Sequence, residues 1–318
     1  MPTPVLVTDA ALDDVEIREI GQNLTLGGDF APAAELLSRI GPDWARRAVA
    51  VTALGEVAAA RPEWLRTWRA EQPESADPLV VTAAAMVRTA WDARGAARAS
   101  LTSGQRFADF RELLVEADHA CLLATEAARD DPTPWVSWLR VCRGLGVPRD
   151  VFEARWQALC ERDPQHRAGH DAALQYLCEK WHGSHDDMYA FARKAAAEAP
   201  DGSPLVVLVV EAHIEYALRM NWNGDTEDTA FWLAAAQQTD LDTALDRYPV
   251  DAAPRHPSAL SDHSALAYAL DKAQRWAELG VRFEATAHQG SHLPWSYGGG
   301  RVYFEQAHAR AMRARPRG

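Results

Sequence analysis

The sequence predicts an all-α fold in which helical hairpins stack side by side in a row. Three observations carry this. Residues 150–218 hold four apolar-periodic runs parted by short polar breaks at Asp163-Pro164, His182-Gly183-Ser184 and Pro200-Asp201-Gly202. Pro132, Pro164 and Pro200 recur at about the interval of a helix-turn-helix repeat. Alternating strand-like patterns are hard to find anywhere in the chain.

The first ten residues read as a loose arm. A helix is expected over Asp14 to Asn23, then a turn at Gly27-Gly28-Asp29 and a run from Pro32 through Ile40 whose inner side carries Ala34, Leu36, Leu37 and Ile40. Asp43 can cap a helix from Trp44 to Ala60, because its carboxylate can accept from the orphan amides of the first turn. Pro62 restarts the chain for a short helix with Trp64, Leu65 and Trp68. Asp77-Pro78 opens another that ends at Gly95, as helices end at left-handed residues.

Residues 96–105 are the least periodic part of the first half. A long amphipathic helix follows from Arg106 to Arg129, with Phe107, Phe110, Leu113, Leu114, Ala117, Cys121 and Ala124 on one stripe. Asp131-Pro132-Thr133-Pro134 breaks it and starts a helix closed by Gly144 and Gly146, and Pro148 begins the next. Within residues 150–218, His170, Leu174, Leu177 and Trp181 share one face. Ser184 with Asp187 three positions on is a capping-box variant, and Ser203 before Pro204 pairs an N-cap with a residue suited to a first turn.

Beyond Leu218 the pattern loosens. Asn221 to Asp225 is a turn cluster, and Thr226 to Thr239 and Leu241 to Tyr248 read as helices. The loop from Pro249 to Pro257 marks a candidate boundary, giving repeats over 1–248 and a final hairpin with a capping helix over 249–318, continuous with the same array. That last part, HSALAYALDKAQRWAELGVRFEATAH, has the pattern of a tetratricopeptide-type hairpin, and Tyr303 to Arg313 would close it as a polar-faced cap.

With DPTPW at Asp131–Trp135, AALQYLCEKWHGS at Ala172–Ser184 and LPWSY at Leu293–Tyr297 in view, the chain resembles tetratricopeptide-like proteins of actinobacterial type. The resemblance covers most of the chain. It implies a right-handed superhelix of degenerate hairpin repeats that acts as a scaffold, and it brings no catalytic residues with it.

Composition bounds the function. The formal charge of −12 disfavours nucleic acid, whose binding needs a basic face to release counterions. The one basic cluster, Arg310, Arg313, Arg315 and Arg317, reads as a solvated helix end. No apolar run approaches the roughly 18 residues that span a bilayer, and no secretory leader is evident, so a cytoplasmic protein without membrane contact is expected. Four cysteines occur one per helix with no C-x-x-C pair. They read as small hydrophobes, and neither a metal nor another cofactor is expected.

Candidates for chemistry are few. His166 and His170 are four apart, but the glutamate of an H-E-x-x-H site is missing. His170, His213 and Glu211 could share a pocket if their runs are neighbours in the array, with Trp181 on the His170 face. His292, Trp295 and Tyr297 belong to the only stretch combining His, Ser, Tyr and a glycine run, which lacks the strand and Lys-Ser/Thr of a phosphate loop. Eight of the twelve tryptophans fall at helix interfaces, where large aromatics fill the wedge between stacked hairpins, so core is the first reading. The sharper alternative makes Trp222, Trp232 and Trp295, in turn-rich or poorly periodic surroundings, partly exposed anchors for a partner peptide or ligand. The expected function is therefore a non-catalytic scaffold holding a protein or peptide in a concave groove. The alternative is a ligand-binding protein or an enzyme of a specialised biosynthetic pathway, with a His-lined pocket for a small molecule.

Overall fold

A computed structural model describes residues 2–95, 104–222, 228–251 and 255–314; the side chains of Trp222 and Asp228 lie outside the description. The described chain is helical almost throughout, as the sequence predicts, and it divides into two units: Asp14–Tyr176, and Met1–Asp13 with Leu177–Gly318. The boundary expected at residue 249 falls inside the second of these. Residues 96–103, where periodicity is weakest, and Arg315 and Arg317 are outside the described residues.

The first unit holds α1 (Val15–Thr25), α2 (Ala31–Ile40), α3 (Trp44–Ala60), α4 (Glu63–Glu71), α5 (Asp77–Arg94), α6 (Gly104–Ala127), α7 (Thr133–Leu145), α8 (Arg149–Arg162) and most of α9 (Arg167–Leu177). Local chemistry sets the ends. Asp14 accepts from the Ile17 amide at 3.1 Å and Asp43 from the Arg46 amide at 3.1 Å. Gly146 closes α7 at φ 66°, ψ 44°, where a side chain would be strained.

Alternate helices touch in succession, α1 on α3, α3 on α5 and α5 on α7, while α2, α4, α6 and α8 each pack on a member of that row. The contacts bury Ile17, Leu24, Leu36, Leu54, Trp68, Val80, Leu114 and Leu139 completely or nearly so. Arg47 is among the polar groups drawn into this core. Arg47 on α3 is 6% exposed and joins Asp77, at the start of α5, to Asp131, just before α7.

The second unit holds α10 (His185–Glu198), a 3-10 turn over Pro204–Val207 running into α11 (Leu208–Trp222), α12 (Asp228–Leu233), α13 (Ala235–Arg247), α14 (Ala259–Lys272), α15 (Trp276–Ala285), a short turn α16 (His292–Trp295) and α17 (Arg301–Ala314). Ser184 caps α10 as expected: its Oγ accepts from the Asp187 amide at 3.0 Å and donates to the Asp187 carboxylate at 2.7 Å. The helix expected over 226–239 is broken earlier, at Ala234, whose extended ψ of 145° separates α12 from α13.

The N-terminal arm is not loose. Val5–Val7 form β1, which pairs in parallel with β2 (Gln289–Ser291), Leu6 opposite Gly290. Gly290 is required there, since a Cβ would stand 2.6 Å from the Phe304 ring. β2 is fixed in turn by the Ser291 amide donating to Ser264 Oγ on α14 at 2.8 Å. Nor is the C-terminal helix end wholly solvated: Arg310 donates twice, at 2.6 and 2.9 Å, to the buried Asp271, which also accepts from the Tyr303 hydroxyl.

Candidate functional site

A groove lies in the first unit, where the turn between α1 and α2 faces α4. The turn follows from the sequence: Gly27 adopts φ 89°, and Asp29 accepts from the Ala31 amide at 3.0 Å to start α2. Leu24, Thr25, Gly27, Gly28, Asp29 and Phe30 form one bank. On α4, Glu63, Thr67 and Glu71 are spaced by four and lie along one stripe, with Trp64 beside it. Arg61, at the end of α3, closes the groove, whose volume is about 570 Å3.

Aromatic packing holds the floor. Trp68 is fully buried and stacks on Phe30 at 5.9 Å and on Trp64 at 6.2 Å, while its indole N–H donates to Gln72 at 2.9 Å. The Trp64 indole N–H has no acceptor among the described residues. Glu63, Glu71 and Arg61 are exposed, and no ion pair among the described residues engages them. Three carboxylates, counting Asp29, therefore face a single guanidinium across an aromatic wall. Trp64 and Phe30 are 6% and 7% exposed, so such a surface attracts cations chiefly through its carboxylates.

The residues singled out in the sequence sit elsewhere. His166 and His170 are buried in the first unit: the Gly169 amide donates to His166 Nδ1 at 3.1 Å, His170 Nδ1 is 3.1 Å from the His166 carbonyl, and the His170 ring meets Trp156 edge-on. Burial pushes the His170 pKa down to about 4. His213 belongs to the second unit, 1% exposed, with Nδ1 2.8 Å from the Tyr189 hydroxyl and Nε2 3.0 Å from Asp240. Since the carboxylate takes the Nε2 proton, Nδ1 accepts from Tyr189, and the three residues clamp α10, α11 and α13 together. Both histidines are thus occupied within their own units.

Glu211 is half-buried on α11, and Trp181 is half-buried beside His182. His292 and Tyr297 are exposed. Trp232 and Trp295 are buried at 1% and 0% exposure, which removes the alternative that they are partly exposed anchors. Trp295 fills the centre of a cluster with Tyr268, Phe283 and Phe304, so it supports the fold. The loose local pattern around both tryptophans reflects nonlocal packing, which periodicity does not report.

Other chemistry is sparse. No group of three or more His, Cys, Asp or Glu among the described residues could hold a metal, and no described helix is long and apolar enough to cross a membrane. Cys121, Cys142 and Cys178 are buried free thiols, and burial raises the pKa of the first two. A crevice near Cys178 and Met188 holds about 10 Å3, room for one water at most. The sequence marks Gly27-Gly28-Asp29 as a turn and Trp64 as core; no local signal says that the two face each other. Comparison with protein-family models, with curated proteins and with solved structures finds no match.

Proposed function

We propose that the chain is a non-catalytic, tetratricopeptide-like protein that holds a basic peptide segment in the groove between Leu24–Phe30 and α4. The stacking of α1, α3, α5 and α7 in one layer, with α2, α4, α6 and α8 packed on it, supports a hairpin-repeat superhelix in the first unit. The observation that carries the binding reading is the groove itself: about 570 Å3, walled by Phe30 and Trp64, with Asp29, Glu63 and Glu71 against Arg61. A Lys or Arg side chain lays its apolar stem along an indole and its charge among carboxylates. An acidic segment would meet repulsion at three points.

The test is fluorescence anisotropy with two labelled peptides of equal length, one alternating Lys with Leu and one alternating Glu with Leu. The basic peptide is expected to bind and to weaken with added salt, and its affinity should drop at least ten-fold in Trp64→Ala and in the double variant Glu63→Gln/Glu71→Gln. Equal affinity for both peptides, or binding that neither variant changes, overturns the proposal.

A further inference from the structure

The second unit contains a cavity that plays no part in the groove. About 230 Å3 in volume, it lies at the first turn of α14, between Ala259 and the side chains of Tyr248, Arg255, His256 and His263. Behind it stands Arg282 of α15, only 4% exposed. Its guanidinium donates to the carbonyls of Tyr248 at 2.9 Å and Leu245 at 3.4 Å, and its Nη1 lies 3.0 Å from His263 Nδ1. No carboxylate among the described residues forms an ion pair with it. A buried charge is ordinarily matched by an opposite one, and here every hydrogen-bonded partner is neutral.

The contact with His263 fixes that ring. Arginine has donors only, so Nδ1 of His263 must accept, and the proton sits on Nε2. His263 is 6% exposed and its ring borders the cavity, so its remaining polar atom is an N–H donor polarised by the guanidinium behind it. Burial and Arg282 keep the ring neutral, with a pKa near 4, and burial lowers the Arg282 pKa to about 10. The amino end of α14 adds the positive pole of a fourteen-residue helix at Ala259. Arg255, half exposed, reaches the same cavity and is shared with Asp13 at 2.9 Å. Two further carboxylates are near: Asp251 on the cavity wall, and Asp262, fully buried in the first turn of α14, where it accepts from Ser258 Oγ at 2.6 Å.

We propose that this cavity is a binding site for a small oxyanion, a phosphate or a carboxylate, held by His263 Nε2–H and Arg255 and counterbalancing Arg282. Its volume suits such a group rather than a drug-sized ligand. Asp251 and Asp262 set the upper limit on charge, so a monoanion is preferred to a polyanion. Arg282 does not border the cavity and acts through His263 as a positioning residue.

The experiment is calorimetric titration of the full chain with inorganic phosphate and, separately, with acetate, both at fixed ionic strength with chloride as the control. Saturable binding of either oxyanion is expected, and which one binds tells phosphate from carboxylate. Arg255→Ala, at a half-exposed residue that leaves the core intact, should weaken it at least ten-fold, and His263→Phe should abolish it. Asp13→Asn, which releases Arg255, should tighten it several-fold. Absence of saturable binding by both anions in the unmodified chain overturns the proposal, as does binding that Arg255→Ala and His263→Phe leave unchanged. All these residues lie in the second unit, so the outcome is independent of the groove variants at Trp64, Glu63 and Glu71.

Discussion

Nε of Arg47 lies 2.6 Å from Oδ2 of Asp131, and both side chains are more than nine-tenths buried. The same guanidinium reaches Asp77, so one arginine on α3 ties down the starts of α5 and α7. Asp131 also accepts from the Thr133 amide at 2.7 Å, acting as a cap for α7. Removing one member of a buried pair strands the other in low dielectric, at about 3–5 kcal/mol. Arg47→Met, which leaves two carboxylates unmatched, is expected to cost that much in denaturant unfolding. Asp131→Asn keeps the cap acceptor and leaves Arg47 with Asp77, so it should cost clearly less. A larger cost for Asp131→Asn than for Arg47→Met would overturn this reading of the ion pairs.

Stability should fall with acidification. The pKa values of His170 and His263 are about 4 in the fold against an ordinary 6.5, and those of His213 and His308 also move down, in each case chiefly through burial. Folding therefore favours neutral imidazole, and this contribution is fully present above pH 6.5. As the pH drops from 6.5 toward 4, the unfolded chain takes up protons that the folded chain refuses, and stability declines across that window. Each tenfold loss of proton affinity on folding is worth about 1.4 kcal/mol, so His170 contributes on the order of a few kcal/mol. Denaturant midpoints measured from pH 7.5 to 4 should show the decline, with a shallower slope in His170→Phe.

Trp68 carries the groove floor. It has no exposed surface and stacks on both Phe30 and Trp64. Trp68→Ala is expected to destabilise the chain by about 3–5 kcal/mol, the usual cost of emptying a buried aromatic site. Glu71→Gln, on the exposed stripe of the same helix, should stay within about 0.5 kcal/mol. Thermal unfolding of the two variants side by side gives the comparison.

Thiol accessibility offers a further check. Cys160 is partly exposed, whereas Cys121, Cys142 and Cys178 are buried. Brief treatment of the native protein with iodoacetamide should label Cys160 alone, and all four should label after unfolding, as read by peptide mass spectrometry. Equal native labelling of Cys121, whose thiol pKa burial raises, would show that α6 does not pack as described.

What is legible in the sequence is local. Asp14, Asp43, Ser184 and Gly146 mark helix ends through chemistry confined to three or four residues, and those ends stand where the pattern puts them. The break at Ala234 is not legible because alanine carries no turn signal. Val5-Leu6-Val7 is not legible because its partner, Gln289–Ser291, lies near the other end of the chain. Arg282 and His263 likewise meet across nineteen positions, between two helices, and nothing in their spacing announces it. The groove requires knowing that Gly27-Gly28-Asp29 faces Trp64, a relation made by how α1, α3 and α4 pack.

The pairing of β1 with β2 orders events during vectorial synthesis. Val5–Val7 leave the ribosome well before Gln289–Ser291, so they have no strand to join while the entire Asp14–Tyr176 unit emerges. In sequence that unit is inserted between the two pieces of the other. The other unit can only be completed late, when its two separated pieces finally meet.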